Sequence, residues 1–224
     1  MGSADTLLPF WNYNIPKDQW TEECPDFLRN LSDKDRGILA TPDEVYRFST
    51  WEEVQQLVRT NHLELFKRLP SDLRRYKALV FRLVKEYGSV SNFILQRRLG
   101  WTAPVTARGA PFEFEDDYKI LWNDAPYGID RRIVHLVVWT KFDLREDPAT
   151  GDLADDARKE IDDFVTKTFR SHVPHEHVIW FKNWASLQSV GAVRHFHVML
   201  FNPDPEFIRQ VTKGDVPRSG LKEI

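Results

Sequence analysis

Residues 193–200 alternate their side chains in the way that a β-strand requires. Successive strand residues point to opposite faces of a sheet, so every second residue of this run shares a face. One face carries Val193, His195, His197 and Met199. Neutral imidazole can attack phosphorus and protonated imidazole can hold an anionic oxygen, so two histidines on one face favour a site that handles phosphate. The alternative is a hydrogen-bonded structural pair.

The composition limits the class of protein. The 224 residues carry a net charge of -3, and 42% of them are hydrophobic. Such a chain can bury a sizeable core, and its charge gives no general attraction to nucleic acid or to acidic membranes. The single Cys24 fits a reducing compartment, no apolar run reaches the roughly 20 residues that span a bilayer, and residues 1–9 lack a signal-peptide pattern. We therefore expect a soluble, cytoplasmic protein.

Three regions are predicted, which together form one compact unit. Residues 1–40 hold scattered aromatic groups interrupted by Pro9, Pro16 and Pro25, a pattern typical of an extended arm with little regular structure. Residues 41–101 are predicted to be a helical subdomain. Residues 102–224 are predicted to form a sheet region, which begins with a loop-rich connector over residues 102–130.

The helical subdomain carries helix signals and a concentrated positive charge. Residues 49–52 have capping-box spacing, Ser71 can cap a second helix that Gly88 ends, and a third helix is predicted over about residues 91–99. Nine basic and two acidic side chains give residues 67–98 a net charge of +7. Most of these side chains are expected to be solvated, yet a positive region in an acidic protein is what a polyphosphate ligand requires.

The sheet region is predicted to run strand, helix, strand, strand. An apolar strand over residues 133–141 precedes a helix over about 155–170, two strands over about 177–183 and 193–201, and a short tail helix over about 205–211. This order resembles the histidine-triad and galactose-1-phosphate uridylyltransferase superfamily. Lys141 and Asn183 match its strand-end lysine and asparagine, Gln188-Ser189-Val190 matches its loop, and His195 and His197 match its first two histidines.

The resemblance implies an α+β fold with an antiparallel sheet and a crossover helix, to which the helical region and the arm are added. It also implies that His197, as the middle histidine, is the nucleophile. Residues 191–193 are extra, however, and Met199 stands at the third triad position, where it can neither protonate a leaving group nor donate a hydrogen bond. We therefore expect phosphate binding rather than efficient nucleotidyl transfer.

A second resemblance extends over nearly the whole chain. The matching runs are Trp-Thr-Lys-Phe at 139–142, Val-Ile-Trp-Phe-Lys-Asn-Trp at 178–184, Leu-Gln-Ser-Val at 187–190, His-Phe-His-Val at 195–198, Asn-Asp-Ala-Pro-Tyr-Gly at 123–128, Arg-Leu-Pro-Ser-Asp-Leu at 68–73 and Glu-Cys-Pro-Asp-Phe-Leu at 23–28. They resemble the fungal family of the N-acetylglucosamine-induced protein. The resemblance implies a cytoplasmic protein of the amino-sugar response that binds uridine triphosphate (UTP). Magnesium would accompany the nucleotide, and a regulatory protein is a further expected partner.

The candidate binding residues are those that could hold a triphosphate, a ribose or a base. They are His195, His197, Lys141, Lys182 and Asn183 at the sheet; Arg68, Arg75 and Arg98 from the helical subdomain; Trp184 for stacking on a base; and Asn123, Asp124 and Tyr127 for the base or ribose edge. Each has a structural alternative, and for the last three the alternative of holding a turn is favoured. His135 and Trp139 are assigned to the core. His172, His175 and His177 lack cysteine partners, and we predict no metal site.

Three functions are compatible with these features. The first is a nucleotide-binding sensor or regulator, most simply for UTP, with little or no turnover. The second is a nucleotidyltransferase or nucleotide hydrolase that uses His197 as its nucleophile. The third is a non-catalytic scaffold for protein interaction. No phosphate-binding glycine loop of the P-loop or Rossmann type is present to supply nucleotide binding instead.

Overall fold

The computed structural model describes residues 8–184 and 193–216, and its centre is a four-stranded antiparallel sheet. The strands are β1 (Tyr118–Trp122), β2 (Ile133–Thr140), β3 (Val178–Phe181) and β4 (His195–Phe201), in the spatial order β1-β2-β4-β3. The helices in these residues are α1 (Asp33–Leu39), α2 (Trp51–Arg59), α3 (Pro70–Tyr87), α4 (Val90–Phe93), α5 (Asp155–Val165) and α6 (Pro205–Val211). Two π-helical segments, Ile94–Leu99 and Thr166–Arg170, continue α4 and α5.

The sheet topology explains why α5 is needed. β2 and β3 both pair antiparallel with β4, so they run in the same direction and cannot be joined by a tight turn. α5 carries the chain across the sheet between them. The predicted α+β class and the predicted order of strand, helix, strand and strand are confirmed.

One face of the sheet packs on α5. The apolar stripe of that helix covers alternate residues of the two central strands, and several of these, including Val138, Phe196 and Val198, have no exposed surface. Because both faces of β2 are buried, its sequence is a continuous apolar run rather than an alternating one.

The opposite face, which carries the histidines, is also covered. α3, α4 and the π-helical segment after α4 pack on Val137 and Trp139, while α2 and the turn after it pack on Met199 and Phe181. In the described part of the arm, residues 8–40, Leu28 and Leu39 pack on Leu73 of α3, so these residues brace the helical layer.

Four local predictions need correction. The arm contains α1, which Ser32 caps, besides three short 3-10 turns. α3 begins with Pro70 as its first residue, and the Asp43 carboxylate, not Ser71, accepts a hydrogen bond at its start, from the Ser71 N–H. β1 lies in the stretch predicted to be a connector. The fourth correction concerns the start of α2.

The capping box of α2 is one residue later than the spacing of residues 49–52 predicted. The Thr50 hydroxyl accepts a hydrogen bond from the Glu53 N–H, and the Glu53 carboxylate accepts one from the Thr50 N–H. Ser49 instead uses its backbone, which bonds to Gly128 and Asp130. Backbone geometry allows only one residue to occupy the cap, so the pair that bonds reciprocally identifies it.

Thr50→Ala is therefore expected to lower the free energy of unfolding by about 1 kcal/mol, because it removes the acceptor of the cap. Ser49→Ala is the matched control and should change stability by less than about 0.5 kcal/mol, since its backbone bonds remain. Urea denaturation of the two variants measures both values. Equal losses, or a larger loss in Ser49→Ala, would assign the cap to Ser49.

Candidate functional site

The sheet brings some of the predicted binding residues together and separates others. β2 and β3 end where β4 begins, so Lys141, Lys182, Asn183, Trp184 and His195 all lie at one end, which we call the lysine end. Asn123, Asp124 and Tyr127 follow β1 and lie at the opposite end, which we call the turn end. The two ends are separated by about 13 Å, the length of four residues of β4.

Two buried histidines connect these ends through hydrogen bonds. His135 Nε2 lies 3.0 Å from His197 Nδ1. At the turn end Asn123 Nδ2 lies 3.1 Å from His135 Nδ1 and 3.3 Å from its Nε2, and at the lysine end Asn183 Nδ2 lies 3.1 Å from His197 Nε2. A hydrogen-bonded histidine pair therefore exists, but it is His135 with His197; in the described residues His195 bonds to Val193 and not to His197, so the pair offered by the strand pattern is not the one that forms.

Burial keeps both of these imidazoles neutral. It lowers the pKa of His135 from 6.5 to about 3, and the positive Arg68 nearby adds to the effect. The pKa of His197 also lies well below 6.5, because the ring is buried and because His135, His195 and Arg68 disfavour another positive charge. Both ring nitrogens of His197 are engaged, so the predicted nucleophile has no nitrogen available for attack unless one of these bonds breaks.

His195 differs from the other two histidines. Its Nδ1 lies 2.8 Å from the Val193 carbonyl oxygen, which can only accept, so Nδ1 carries the hydrogen and Nε2 carries the lone pair. In residues 8–184 and 193–216 no hydrogen bond to that Nε2 is present. The ring packs on Trp139, with centroids 4.5 Å apart. Burial lowers the pKa of His195, the Val193 bond opposes that effect, and the charge of Lys182 lowers the pKa further.

The two lysines of the lysine end differ in their partners. Lys182 Nζ lies 2.6 Å from the Glu146 carboxylate, and its side chain is almost entirely buried. Lys141 Nζ has a looser environment. It lies 3.8 Å from Asp117 Oδ1 and 5.5 Å from the centre of the Trp101 ring. Lys141 therefore has the longer ion-pair distance of the two lysines, and its partner Asp117 is fully buried, whereas Glu146 is about half exposed.

The three arginines predicted to bind phosphate are engaged within the protein. Arg68 donates to the Ala125 carbonyl and lies over the rings of Tyr76 and Tyr127. Arg75 pairs with Asp72 in the same helix. Arg98 pairs with Asp124 at 2.8 Å and with Asp215 at 2.9 Å. These basic side chains of the helical subdomain therefore make stabilising contacts within the protein.

At the turn end Asn123 holds the turn, as the favoured alternative predicted, whereas Asp124 pairs with Arg98 and Tyr127 packs between two rings. Asn123 Oδ1 accepts a hydrogen bond from the Ala125 N–H, and Tyr127 stacks between Phe66 and His135. Gly128 lies so close to Tyr46 that a Cβ atom there would clash with the tyrosine ring and hydroxyl, so a larger residue would displace Tyr46.

Other candidate features lie elsewhere. The Trp184 indole N–H donates to Asn61 Oδ1 at 3.1 Å. The matches at Gln188, Ser189, Val190, Gly191 and Ala192 lie outside the described residues. His172 stacks on Phe207, and across the part of the chain that the structure describes no three histidine, cysteine or carboxylate side chains are placed to hold a metal ion. No helix in those same residues is long and apolar enough to cross a membrane.

A cleft of about 700 Å³ lies away from the histidines, between α1, α2 and residues 65–70. Two of its lining residues, Val45 and Leu65, are large apolar side chains that are more than half exposed. Lys34 and Lys67 supply positive charge. The Lys34 ammonium donates to the backbone carbonyls of residues 64 and 66, and burial, reinforced by the charges of Lys67 and Arg68, lowers its pKa.

Fold and site together define an α+β protein whose antiparallel sheet buries a hydrogen-bonded histidine pair and brings two lysines and a third histidine to one end. Residues 50–201 match the family described as a protein of unknown function, DUF3605. The chain belongs to that family.

Similar proteins agree with this assignment. The chain is 26% identical over 185 residues to N-acetylglucosamine-induced protein 1 of Candida albicans, covering 74% of this chain and 73% of the relative. It is 28% identical over 172 residues to the uncharacterized protein YPL067C of Saccharomyces cerevisiae, covering 74% and 85%. The crystal structure of HTC1 is similar with a TM-score of 0.60 and 26% identity, over 74% of this chain and 94% of that one. The predicted membership of the fungal N-acetylglucosamine-induced family is confirmed.

Proposed function

We propose that the protein binds a nucleotide, with UTP favoured, at the lysine end of the sheet, and that it acts as a cytoplasmic sensor or regulator of the amino-sugar response. The observation that carries the proposal is His195, whose Nε2 lone pair lies at the end of the sheet that also carries Lys141 and Lys182. Likeness to the histidine-triad superfamily supports a phosphate at this end of the sheet. The preference for uracil rests on the family resemblance.

Phosphate binding at His195 requires a proton. Burial lowers the pKa of the ring, so the unliganded site is neutral near pH 7. A phosphate oxygen at Nε2 favours the imidazolium and raises that pKa. Binding should therefore take up a proton, and the affinity should rise as the pH falls from 8 to 6.

Calorimetric titration tests the predicted uptake of a proton on binding. With UTP at pH 7, in two buffers of different ionisation enthalpy, the observed heats should differ by the amount expected for uptake of up to about one proton. His195→Gln should abolish the uptake and weaken binding about 10- to 100-fold, the range for a hydrogen bond to a charged group. His62→Gln, at a histidine whose side chain is 59% exposed, is the matched control. UTP binding that is independent of pH and of His195 would contradict the proposal.

The same titrations separate the two alternative functions. An enzyme using His197 would release pyrophosphate or phosphate, and His197→Ala would stop that release. The engaged nitrogens of His197 favour binding over this chemistry.

A protein-interaction role is favoured by the cleft, whose exposed Val45 and Leu65 lie beside Lys34 and Lys67. That role predicts no heat with UTP, CTP, ATP, GTP or UDP-N-acetylglucosamine, with or without magnesium.

A further inference from the structure

Trp101 is placed by an unusual helix end. The π-helical segment Ile94–Leu99 is followed by Gly100 in the left-handed conformation, with φ 64°. The N–H groups of Gly100 and Trp101 both donate to the Leu95 carbonyl, and Lys119 Nζ donates to the Leu99 carbonyl. These bonds fix the direction in which the chain leaves the helix. π-helical segments of this kind are often found at functional sites.

The Trp101 ring lies beside the lysine end of the sheet. It packs against the cluster that contains Trp139 and Val193, and it is only partly buried. Trp139 is opposite His195 in the sheet register, and the Thr140 N–H donates to the Arg194 carbonyl, so residue 141 follows directly at this edge. Trp101, Lys141 and His195 therefore flank one region.

A buried carboxylate holds Lys141 near the Trp101 ring. Asp117 has no exposed surface, and its Oδ2 accepts hydrogen bonds from the backbone N–H groups of Arg108 and Gly109. Its Oδ1 has no hydrogen-bond partner within the described part of the chain, and its nearest cation is Lys141 at 3.8 Å. A single ammonium group thus lies between a buried anion and the face of an indole.

We propose that Trp101 is the side chain on which the base of the bound nucleotide stacks. This inference deepens the proposed function and rests on it. When the phosphates arrive, Lys141 moves off the indole face towards the phosphate oxygens while it stays beside Asp117, and the ring face that it leaves accepts the base. The arrangement links recognition of the base to recognition of the phosphates through one lysine.

The other tryptophans near the site are less suited to stacking. Trp139 is 7% exposed, and His195 packs on its ring. Trp184 follows β3 at the other edge of the sheet, and its indole N–H is bonded to Asn61. Trp101 combines a partly exposed ring with a neighbouring lysine, Lys141, whose ion pair in the described residues is the 3.8 Å contact with Asp117.

The test compares UTP with inorganic triphosphate, which has no base. Trp101→Leu should weaken UTP binding by about 10- to 100-fold in calorimetric titration, the range for loss of a base–aromatic stack, and should leave triphosphate binding unchanged. Trp101→Tyr, which restores an aromatic face, should bind UTP within about threefold of the original protein. Trp20→Leu, at an exposed tryptophan of the arm, is the control and should leave both affinities unchanged. Trp184→Leu tests the alternative stacking position. Melting temperatures confirm that the variants are folded.

The outcomes distinguish this inference from the proposed function. If Trp101→Leu retains full UTP affinity, or if it weakens UTP and triphosphate equally, the stacking role is wrong and the nucleotide site remains. If Trp184→Leu shows the selective loss instead, the base lies at the β3 edge. If the original protein binds neither UTP nor triphosphate, the proposed function itself fails.

Discussion

Lowering the pH from 7 to 5 is expected to remove about 2 kcal/mol of folding free energy through His135 alone, and His197 adds to the loss in the same direction. Both histidines have a folded-state pKa far below the unfolded value of 6.5. Below pH 6.5 the unfolded chain takes up protons that the folded chain cannot, so acid favours unfolding. The contribution to stability is complete above about pH 7 and is lost as the pH falls towards the folded-state pKa. Guanidinium denaturation at pH 7, 6 and 5 measures the change.

Substitution of one histidine shows whether that ring causes the loss of stability at low pH. His135→Gln should remove about 2 kcal/mol of the difference in stability between pH 7 and pH 5, whatever it does to stability at pH 7. His62→Gln, at an exposed position, should leave the difference unchanged. Most carboxylates titrate below this window, so they contribute little to it. A stability that is flat between pH 7 and 5 would show that the pair is protonated in the folded protein.

Arg98→Met is expected to destabilise the protein by about 3 kcal/mol, the cost of leaving buried charges without their partner. The Arg98 side chain is 8% exposed and bonds to two aspartates, Asp124 in the turn after β1 and Asp215 beyond α6. Asp215 also accepts a hydrogen bond from the Trp122 N–H, so one guanidinium joins the helical layer, the sheet and the C-terminal segment. Urea denaturation measures the loss.

The neighbouring arginine supplies the control. Arg97 is exposed, and Arg97→Met should change stability by less than about 0.5 kcal/mol. Calorimetry with UTP adds a second measurement, because Arg98 was predicted to bind the nucleotide. If Arg98 only joins the helical layer to the sheet and the C-terminal segment, folded Arg98→Met should bind UTP with an affinity close to that of the original protein. A large loss of UTP affinity without a loss of stability would restore the predicted binding role.

Local patterns predicted most of the fold. The apolar run of β2, the stripe of α5 and the alternation of β4 each arise from burial of an element against its immediate layer, and such burial leaves a period in the sequence. β1 was missed because it is a five-residue edge strand that directly follows three acidic residues. The start of α2 was placed one residue early because Ser49 and Thr50 are both good caps, and only the chain direction set by Gly128 distinguishes them.

The site was harder to predict because its partners are distant in sequence. His135 and His197 are 62 residues apart, and Arg98 and Asp215 are 117 apart. A period-2 pattern gives the face of a strand but not its register, so it could not show that His197 meets His135. Charge counting found the basic helices but could not show which arginines neutralise internal carboxylates. Trp101 carries no motif, and its place depends on the π-helical end before it.

The position of β4 in the sheet bears on how the chain folds during synthesis. Among the strands of the described residues, β4 is the last to leave the ribosome, yet it lies between β2 and β3 and is the partner of both. Until residue 201 emerges, β1 and β2 can form only a hairpin with an unprotected edge, and β3 has no strand beside it. The nascent chain therefore exposes apolar strand edges while residues 141–201 are being synthesised, and a chaperone that binds such edges would protect it during that interval.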